Sequence, residues 1–194
     1  MALRPDAMCA VFLGAVVFLG CGVAVAGTDY PDRVSDVRPQ AAPDIASVRV
    51  SNTATTVTFS VRFVKAPPLR FSRSGGWVDM LLVGIDVPPL GPPPVAPGGE
   101  WAGADFAIGT HGPSRTGRMV RLGQNIPAKS RQVASMVIVT RRSTLTFSIP
   151  RRALATPMWF RFSVAAAREN EGDETGGAVD IAPAHGTYRY VLTG

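Results

Sequence analysis

Hydrophobic and polar residues alternate over two neighbouring stretches, 47–51 and 56–63. Valine or phenylalanine occupies every second position, and serine, threonine or arginine stands between. A period of two is typical of a half-buried strand, because successive side chains point to opposite faces of a sheet. Residues 52–55 separate the two stretches and predict a turn, so the sequence predicts a β-hairpin from Ile45 to Phe63.

Seven further strands are predicted downstream. Residues 77–86, WVDMLLVGID, are apolar on both faces and predict a central strand covered on both sides. Residues 88–97, PPLGPPPVAP, predict a surface loop, because proline cannot donate a hydrogen bond to a sheet. The other predicted elements are strands at 104–110, 117–123, 132–140, 143–149, 158–164 and 186–192, a tight turn at 141–142 and at most one helical turn at 150–154.

About nine short strands without an amphipathic helix predict an all-β fold. The expected architecture is a single antiparallel β-sandwich, jelly-roll-like, over residues 45–194. Residues 27–44 are polar and carry Pro31, Pro39 and Pro43. They predict an extended N-terminal segment, either a linker or an edge strand.

An uncharged apolar run occupies residues 8–26 and follows a short stretch that contains Arg4. Ala24 and Ala26 match the small-x-small pattern of signal peptidase sites, so residues 1–26 predict a signal peptide. The domain is therefore expected to be secreted or to lie in the cell envelope. Two alternatives stay open: an uncleaved anchor, since 19 residues span about 30 Å of hydrocarbon, and lipidation at Cys21, whose context resembles a lipobox. Only these would attach the protein to a membrane.

Charge is distributed unevenly along the chain. Both cysteines, Cys9 and Cys21, lie in the apolar run, so the exported domain is expected to have no disulfide. Residues 106–168 contain no Asp or Glu but ten arginines and one lysine. This pattern predicts a scattered cationic surface, either facing an anionic envelope polymer or neutralised by the acidic flanks on folding. Nucleic acid is not expected as a partner, because no basic motif interleaved with aromatics is present.

Motifs of catalysis are missing from the sequence. The two histidines, His111 and His185, stand outside any H-E-x-x-H pattern, and no G-x-S-x-G occurs. A triad can still be assembled by folding, but His111 precedes Gly112-Pro113 and is interpreted as a loop residue. Residues 169–174, ENEGDE, lack the spacing of a calcium loop and predict a solvated acidic loop. The sequence thus predicts no enzyme, no cofactor and no metal site.

Three tryptophans are the candidate ligand-binding residues: Trp77, Trp101 and Trp159. An indole face can stack on the apolar face of a sugar ring while polar neighbours bind its hydroxyls. Trp159 alternates away from Phe160, which predicts a position on the outer surface, and Trp101 lies in a Gly-rich loop. The alternative is that all three are core residues.

Several segments occur in an order that resembles family 9 carbohydrate-binding modules and the related DOMON-type sandwiches. They are residues 43–63, 77–86, 103–112, 145–154 and 160–169, and the similarity spans residues 32 to 193. Such relatives often carry an Asp-rich turn after the strand that ends here at Leu82, but this chain has 83–86, VGID, and the proline-rich loop. The resemblance therefore carries no metal site over to this turn. It implies a binding or structural role.

Two functions follow as expectations. The first is a secreted, non-catalytic binding module for carbohydrate or another cell-envelope polymer. The second is a structural or protein-interaction domain of the envelope that has no small ligand. Exposed tryptophans beside polar neighbours would favour the first, and buried tryptophans would favour the second.

Overall fold

Two antiparallel sheets face each other in the computed structural model, which describes residues 27–34, 42–88, 103–112, 114–122, 131–170 and 178–193. Sheet A consists, from edge to edge, of β1 (Thr28–Pro31), β2 (Ile45–Asn52), β3 (Thr56–Phe63), β10 (Thr144–Pro150) and β9 (Val139–Arg141). The main path of sheet B consists of β12 (Val179–Ala182), β11 (Trp159–Asn170), β5 (Trp77–Asp86), β6 (Phe106–His111), β7 (Thr116–Arg121) and β8 (Arg131–Val137). Two further strands extend it: β4 (Phe71–Ser72) pairs with β5, and β13 (Tyr188–Val191) pairs with β11. The predicted all-β sandwich is confirmed.

Alternate residues of the two sheets fill the space between them. Phe59 of β3 stacks on Phe147 of β10 with ring centroids 5.4 Å apart, and meets Phe162 of β11 edge-on at 5.6 Å. Phe59 therefore joins the two sheets through aromatic contacts. The apolar positions that the alternation of β2 and β3 predicts are all buried, namely Val48, Val50, Val57, Phe59, Val61 and Phe63.

The predicted hairpin is confirmed, because β2 pairs with β3 from Ile45–Phe63 to Asn52–Val57. The N-terminal segment adds β1 to the edge of sheet A, where Thr28 lies opposite Val50. The predicted central strand, β5, lies between β11 and β6. Its outward side chains Met80 and Leu82 are half-buried, so its outer face is only partly covered.

The prediction of one strand over residues 132–140 is wrong. The chain leaves sheet B after Val137, passes through buried Ile138, and enters sheet A as β9. The Ile138 amide donates to the Arg115 carbonyl at 2.8 Å, which fixes the crossing point. Gly117 gives the Ile138 side chain room, since a Cβ there would lie 3.1 Å from its Cδ1. This crossing joins the two sheets covalently at one edge of the sandwich.

Hydrogen bonds join the sheets at the opposite edge. The buried Asp180 carboxylate of β12 accepts from the Ile45 amide of β2. Asn52 accepts from the Tyr190 hydroxyl at 2.9 Å and donates to the Thr193 carbonyl at 2.6 Å. The first contact ties the start of β2 to β12, and the Asn52 contacts tie the end of β2 to β13 and the residue Thr193 that follows it.

Other element boundaries differ modestly from the predictions. Strand β11 continues to Asn170, and β4 and β12 were not predicted. The helical turn is a 3-10 turn at Arg151–Leu154. Met158, the first residue of the predicted strand 158–164, precedes β11 and is 82% exposed. The signal segment 1–26, most of the proline-rich loop and Trp101 lie outside the described residues. Over the described ranges, no helix is long and apolar enough to span a membrane.

Candidate functional site

A hollow of about 520 Å³ opens where β5 begins. Phe71 and Trp77 supply its aromatic side chains, and Phe71 is 44% exposed. Its polar side chains come from β4, the turn after it, β6 and β11: Ser72, Arg73, His111, Glu169 and Asn170. We call this site the Trp77 hollow. Two aromatic surfaces with a few polar groups around them are typical of a small-molecule or sugar site.

A change of partner strand beside β5 creates the hollow. Strand β6 pairs with β5 only as far as His111, which lies opposite Met80, and β4 takes the same edge from Val78 onwards. At the junction, the Gly112 amide donates to the Asp79 carbonyl at 2.8 Å. A Cβ on Gly112 would lie 2.9 Å from the Leu69 carbonyl carbon, so glycine is required for the two segments to meet.

A buried carboxylate holds the hollow together from inside. Asp79 is fully buried and accepts from Arg168 at 2.8 Å (Nε) and 3.1 Å (Nη2). It also accepts from the Arg70 amide at 2.9 Å, while the Arg70 guanidinium lies 3.6 Å away. Bidentate arginine pairs of this kind are among the strongest hydrogen-bonded contacts in proteins. Asp79 therefore fixes the positions of both β4 and Arg168.

Trp77 rests on this ion pair. The Arg168 guanidinium carbon lies 3.7 Å from the centroid of the indole ring, and that of Arg70 lies 5.7 Å away. Such cation–π contacts stabilise the ring by about 0.5–2 kcal/mol, depending on how far they are desolvated. Trp77 is half-buried, so part of its surface remains accessible. The indole is thus held in place before any ligand arrives.

The side chains around the hollow can donate and accept hydrogen bonds. Asn170 does both, Glu169 accepts, and Arg73 donates. His111 is the last residue of β6 and not the loop residue that the sequence predicts. Within the described ranges, no cluster of three or more His, Cys, Asp or Glu side chains could hold a metal ion. This chemistry suits the binding of a neutral polar ligand.

Trp159 lies at the other end of β11, on the outward face of sheet B as its alternation with Phe160 predicts. Its indole contacts the guanidinium groups of Arg189 at 4.5 Å and Arg161 at 5.5 Å. Arg161 also lies 3.7 Å from the Asp86 carboxylate. Trp159 is half-buried and belongs to a surface ladder of stacked side chains.

The structure does not bring Trp77 and Trp159 together. Trp77 lies opposite Asn170, at the far end of the same strand that Trp159 begins. Eleven residues of extended β11 separate the two ends by about 36 Å, at about 3.3 Å per residue. Trp101 lies outside the described residues. Of the two predicted residues that the structure describes, Trp77 lines the hollow and Trp159 does not.

Sequence reasoning missed Phe71, Asp79 and Asn170. Phe71 lies in a strand of two residues, too short to show a period. Asp79 does give a signal, because it is a lone charge in the otherwise apolar segment 77–85. A charge at a core position of a strand indicates a buried ion pair, since an unpaired one would be strongly unfavourable.

No family model, curated protein or solved structure matches this chain. Its function is therefore inferred from the residues of the site.

Proposed function

We propose that this chain is an exported, non-catalytic module that binds carbohydrate or another cell-envelope polymer through the Trp77 hollow. The signal segment at 1–26 supports export. The resemblance to family 9 carbohydrate-binding modules and DOMON-type sandwiches points to the same class. The observation that carries the proposal is the partly exposed Trp77, whose indole is fixed on the Asp79–Arg168 pair beside Phe71.

Sugar binding matches the chemistry of the hollow. A pyranose presents an apolar C–H face that stacks on an indole, and its rim of hydroxyls needs mixed donors and acceptors. Trp77 and Phe71 supply the aromatic surface for stacking, while Asn170, Glu169 and His111 supply the hydrogen-bond donors and acceptors. Because Trp77 is already immobilised, stacking on it loses little side-chain entropy.

The proposal is tested by retention of the purified protein on polysaccharides. Wild-type protein is incubated with insoluble cell-wall material and with a panel of immobilised glycans, and the bound fraction is measured. The variant is Trp77→Ala. Trp159→Ala is the matched control, since that tryptophan is also half-buried and stacked on arginine, but lies at the opposite end of β11.

We expect Trp77→Ala to weaken retention about fivefold or more, because a nucleobase stacked on an aromatic side chain contributes about 1–3 kcal/mol and a stacked sugar ring is expected to fall in the same range. Trp159→Ala is expected to bind as the wild type does. Thermal unfolding of both variants controls for misfolding. Equal retention of wild type and Trp77→Ala, or retention of neither, would falsify the hollow as the binding site.

One observation favours a second candidate, a protein-interaction domain of the envelope. Met158 and Val191 are 82% and 55% exposed beside Trp159, and Val191 lies directly opposite Trp159 in the sheet. Exposed apolar side chains grouped in this way are typical of contact surfaces. This candidate predicts no retention on any polysaccharide. It also predicts cross-linked complexes in intact envelopes that are lost in Met158→Glu and kept in Trp77→Ala.

A further inference from the structure

Three arginines line a second hollow, at the edge of the sandwich between β8 and the 3-10 turn. The cavity is about 620 Å³ and is bounded by Arg121 of β7, Arg131 of β8 and Arg152 of the 3-10 turn. All three side chains are exposed. Gln132 and Ser135 add polar groups at its wall, where the Gln132 amide donates to the Ser135 hydroxyl at 2.8 Å. We call this site the arginine hollow.

The pairing of β7 with β8 places like charges together. Arg121 and Arg131 are direct cross-strand partners. Like charges in this arrangement repel each other and destabilise the pairing. Packing against the 3-10 turn then brings Arg152 to the same cavity. A bound anion would relieve this repulsion.

Carboxylates of the described chain do not neutralise the cluster. The ion pairs between described residues involve Arg49, Arg70, Arg161 and Arg168, and none of the three arginines of the hollow. Asp105 acts electrostatically on Arg121. Its carboxylate, however, already accepts from the Val87 amide at 2.8 Å. Carboxylates within the described ranges therefore offset at most one of the three positive charges.

We propose that the arginine hollow is a specific site for an oxyanion, a carboxylate or phosphate group carried by an acidic polymer. Guanidinium groups bind both anions through two parallel N–H donors, which a single lysine cannot do. The site is separate from the Trp77 hollow. It lies beside Phe106, which pairs with Ile85, and eight residues of β5 separate Ile85 from Trp77, about 26 Å at about 3.3 Å per residue.

This site modifies the expectation of a scattered cationic surface. The spacing of Arg121, Arg131 and Arg152 along the chain gives no hint of a cluster, because strand pairing and sheet packing bring them together. Arg118 and Arg141 are exposed as well but do not line the cavity. They therefore offer a control that carries the same charge.

Binding of two soluble probes tests the proposal, with the purified protein and isothermal titration calorimetry. Sodium pyrophosphate represents phosphate, and oligomers of galacturonate represent carboxylate. The test variant is Arg131→Gln/Arg152→Gln, and the control is Arg118→Gln/Arg141→Gln, which loses the same two charges. We expect saturable binding of at least one probe by wild type, about tenfold weaker binding by the test variant and a change of less than about twofold in the control.

The probe that binds more tightly identifies the anion. Trp77→Ala should bind pyrophosphate as the wild type does, whatever the outcome of the polysaccharide experiment. Equal losses in the test and control variants would overturn the proposal, because they would show attraction by net charge alone. Failure of wild type to bind either probe would overturn it as well, and so would attachment only to vesicles rich in phosphatidylglycerol, which would make this a membrane-facing surface.

Discussion

Tyr30 and Tyr188 each donate a hydrogen bond to the strand that carries the other. The Tyr30 hydroxyl on β1 donates to the Arg189 carbonyl on β13 at 2.6 Å, and the Tyr188 hydroxyl on β13 donates to the Pro31 carbonyl on β1 at 3.1 Å. Their rings are 4.8 Å apart, and both contact Phe162. The pair fastens the N-terminal strand of sheet A to the C-terminal strand of sheet B.

Removing either hydroxyl should loosen this connection. We expect Tyr30→Phe and Tyr188→Phe each to lower the free energy of unfolding by about 0.5–1 kcal/mol, the lower half of the range for a hydrogen bond because water reaches both. The double variant should lose less than the sum, since the second bond weakens once β1 has moved. Urea denaturation measures all three. Strictly additive losses would show that the two bonds act independently.

The tyrosine hydroxyls should lose their protons at a higher pH in the folded protein than in the unfolded chain. Burial, followed by the charges of Asp32 and Asp180, raises the pKa of Tyr188 to about 12, and burial raises the pKa of Tyr30 and Tyr190 as well. A raised pKa in the folded state means that folding favours the protonated phenol. The resulting stability is fully present below about pH 10 and is lost as the pH rises towards 12. Ultraviolet absorbance should show little phenolate at pH 10. A midpoint at pH 10 in folded protein would contradict this.

Asp79 should be among the most sensitive positions of the chain. Replacing it with Ala leaves Arg168, whose side chain is 13% exposed, without its partner, and we expect a loss of about 3 kcal/mol in unfolding free energy. Arg168→Met should have a similar effect by stranding the Asp79 carboxylate. The double variant Asp79→Leu/Arg168→Met should recover part of the loss, because an apolar pair can replace a buried ion pair. A double variant as unstable as the sum of both would argue against a mutual contact.

Asp105→Asn should stabilise the protein at neutral pH. Burial raises the pKa of Asp105, and the nearby Asp86 raises it further, while the Val87 amide and Arg121 oppose the shift. Asparagine keeps the acceptor for the Val87 amide and removes the partly desolvated charge. Because the folded-state pKa is raised, the ionised form weakens folding above it, so the gain should be present at pH 7 and vanish near pH 3. Thermal unfolding at both pH values measures this, with Asp86→Asn as the control that loses the contact with Arg161.

Local alternation was sufficient to predict the core of the first hairpin. In β2 and β3 the apolar period is two and the partner strand follows within a few residues, so both the burial and the pairing can be inferred. The Trp77 hollow could not be inferred in this way. It depends on β4 pairing with the start of β5, and on β5 pairing with β11, a strand from much later in the chain.

The crossing at Ile138 was hidden for a different reason. Residues 136–139, MVIV, form one apolar run through the crossing, and neither such a run nor a period of two shows which sheet a strand joins. The sequence therefore indicates strand on both sides of Ile138 without indicating the change of partner. The arginine hollow was hidden likewise, since it forms only once β7, β8 and the 3-10 turn have packed.

At one edge of the sandwich, the chain at Ile138 connects the two sheets covalently. At the opposite edge, hydrogen bonds hold the two sheets together, and they involve Asp180, Asn52, Tyr30 and Tyr188. Partial opening should therefore begin at the hydrogen-bonded edge. Amide hydrogens of β1 and β13 are expected to exchange with solvent long before that of Ile138.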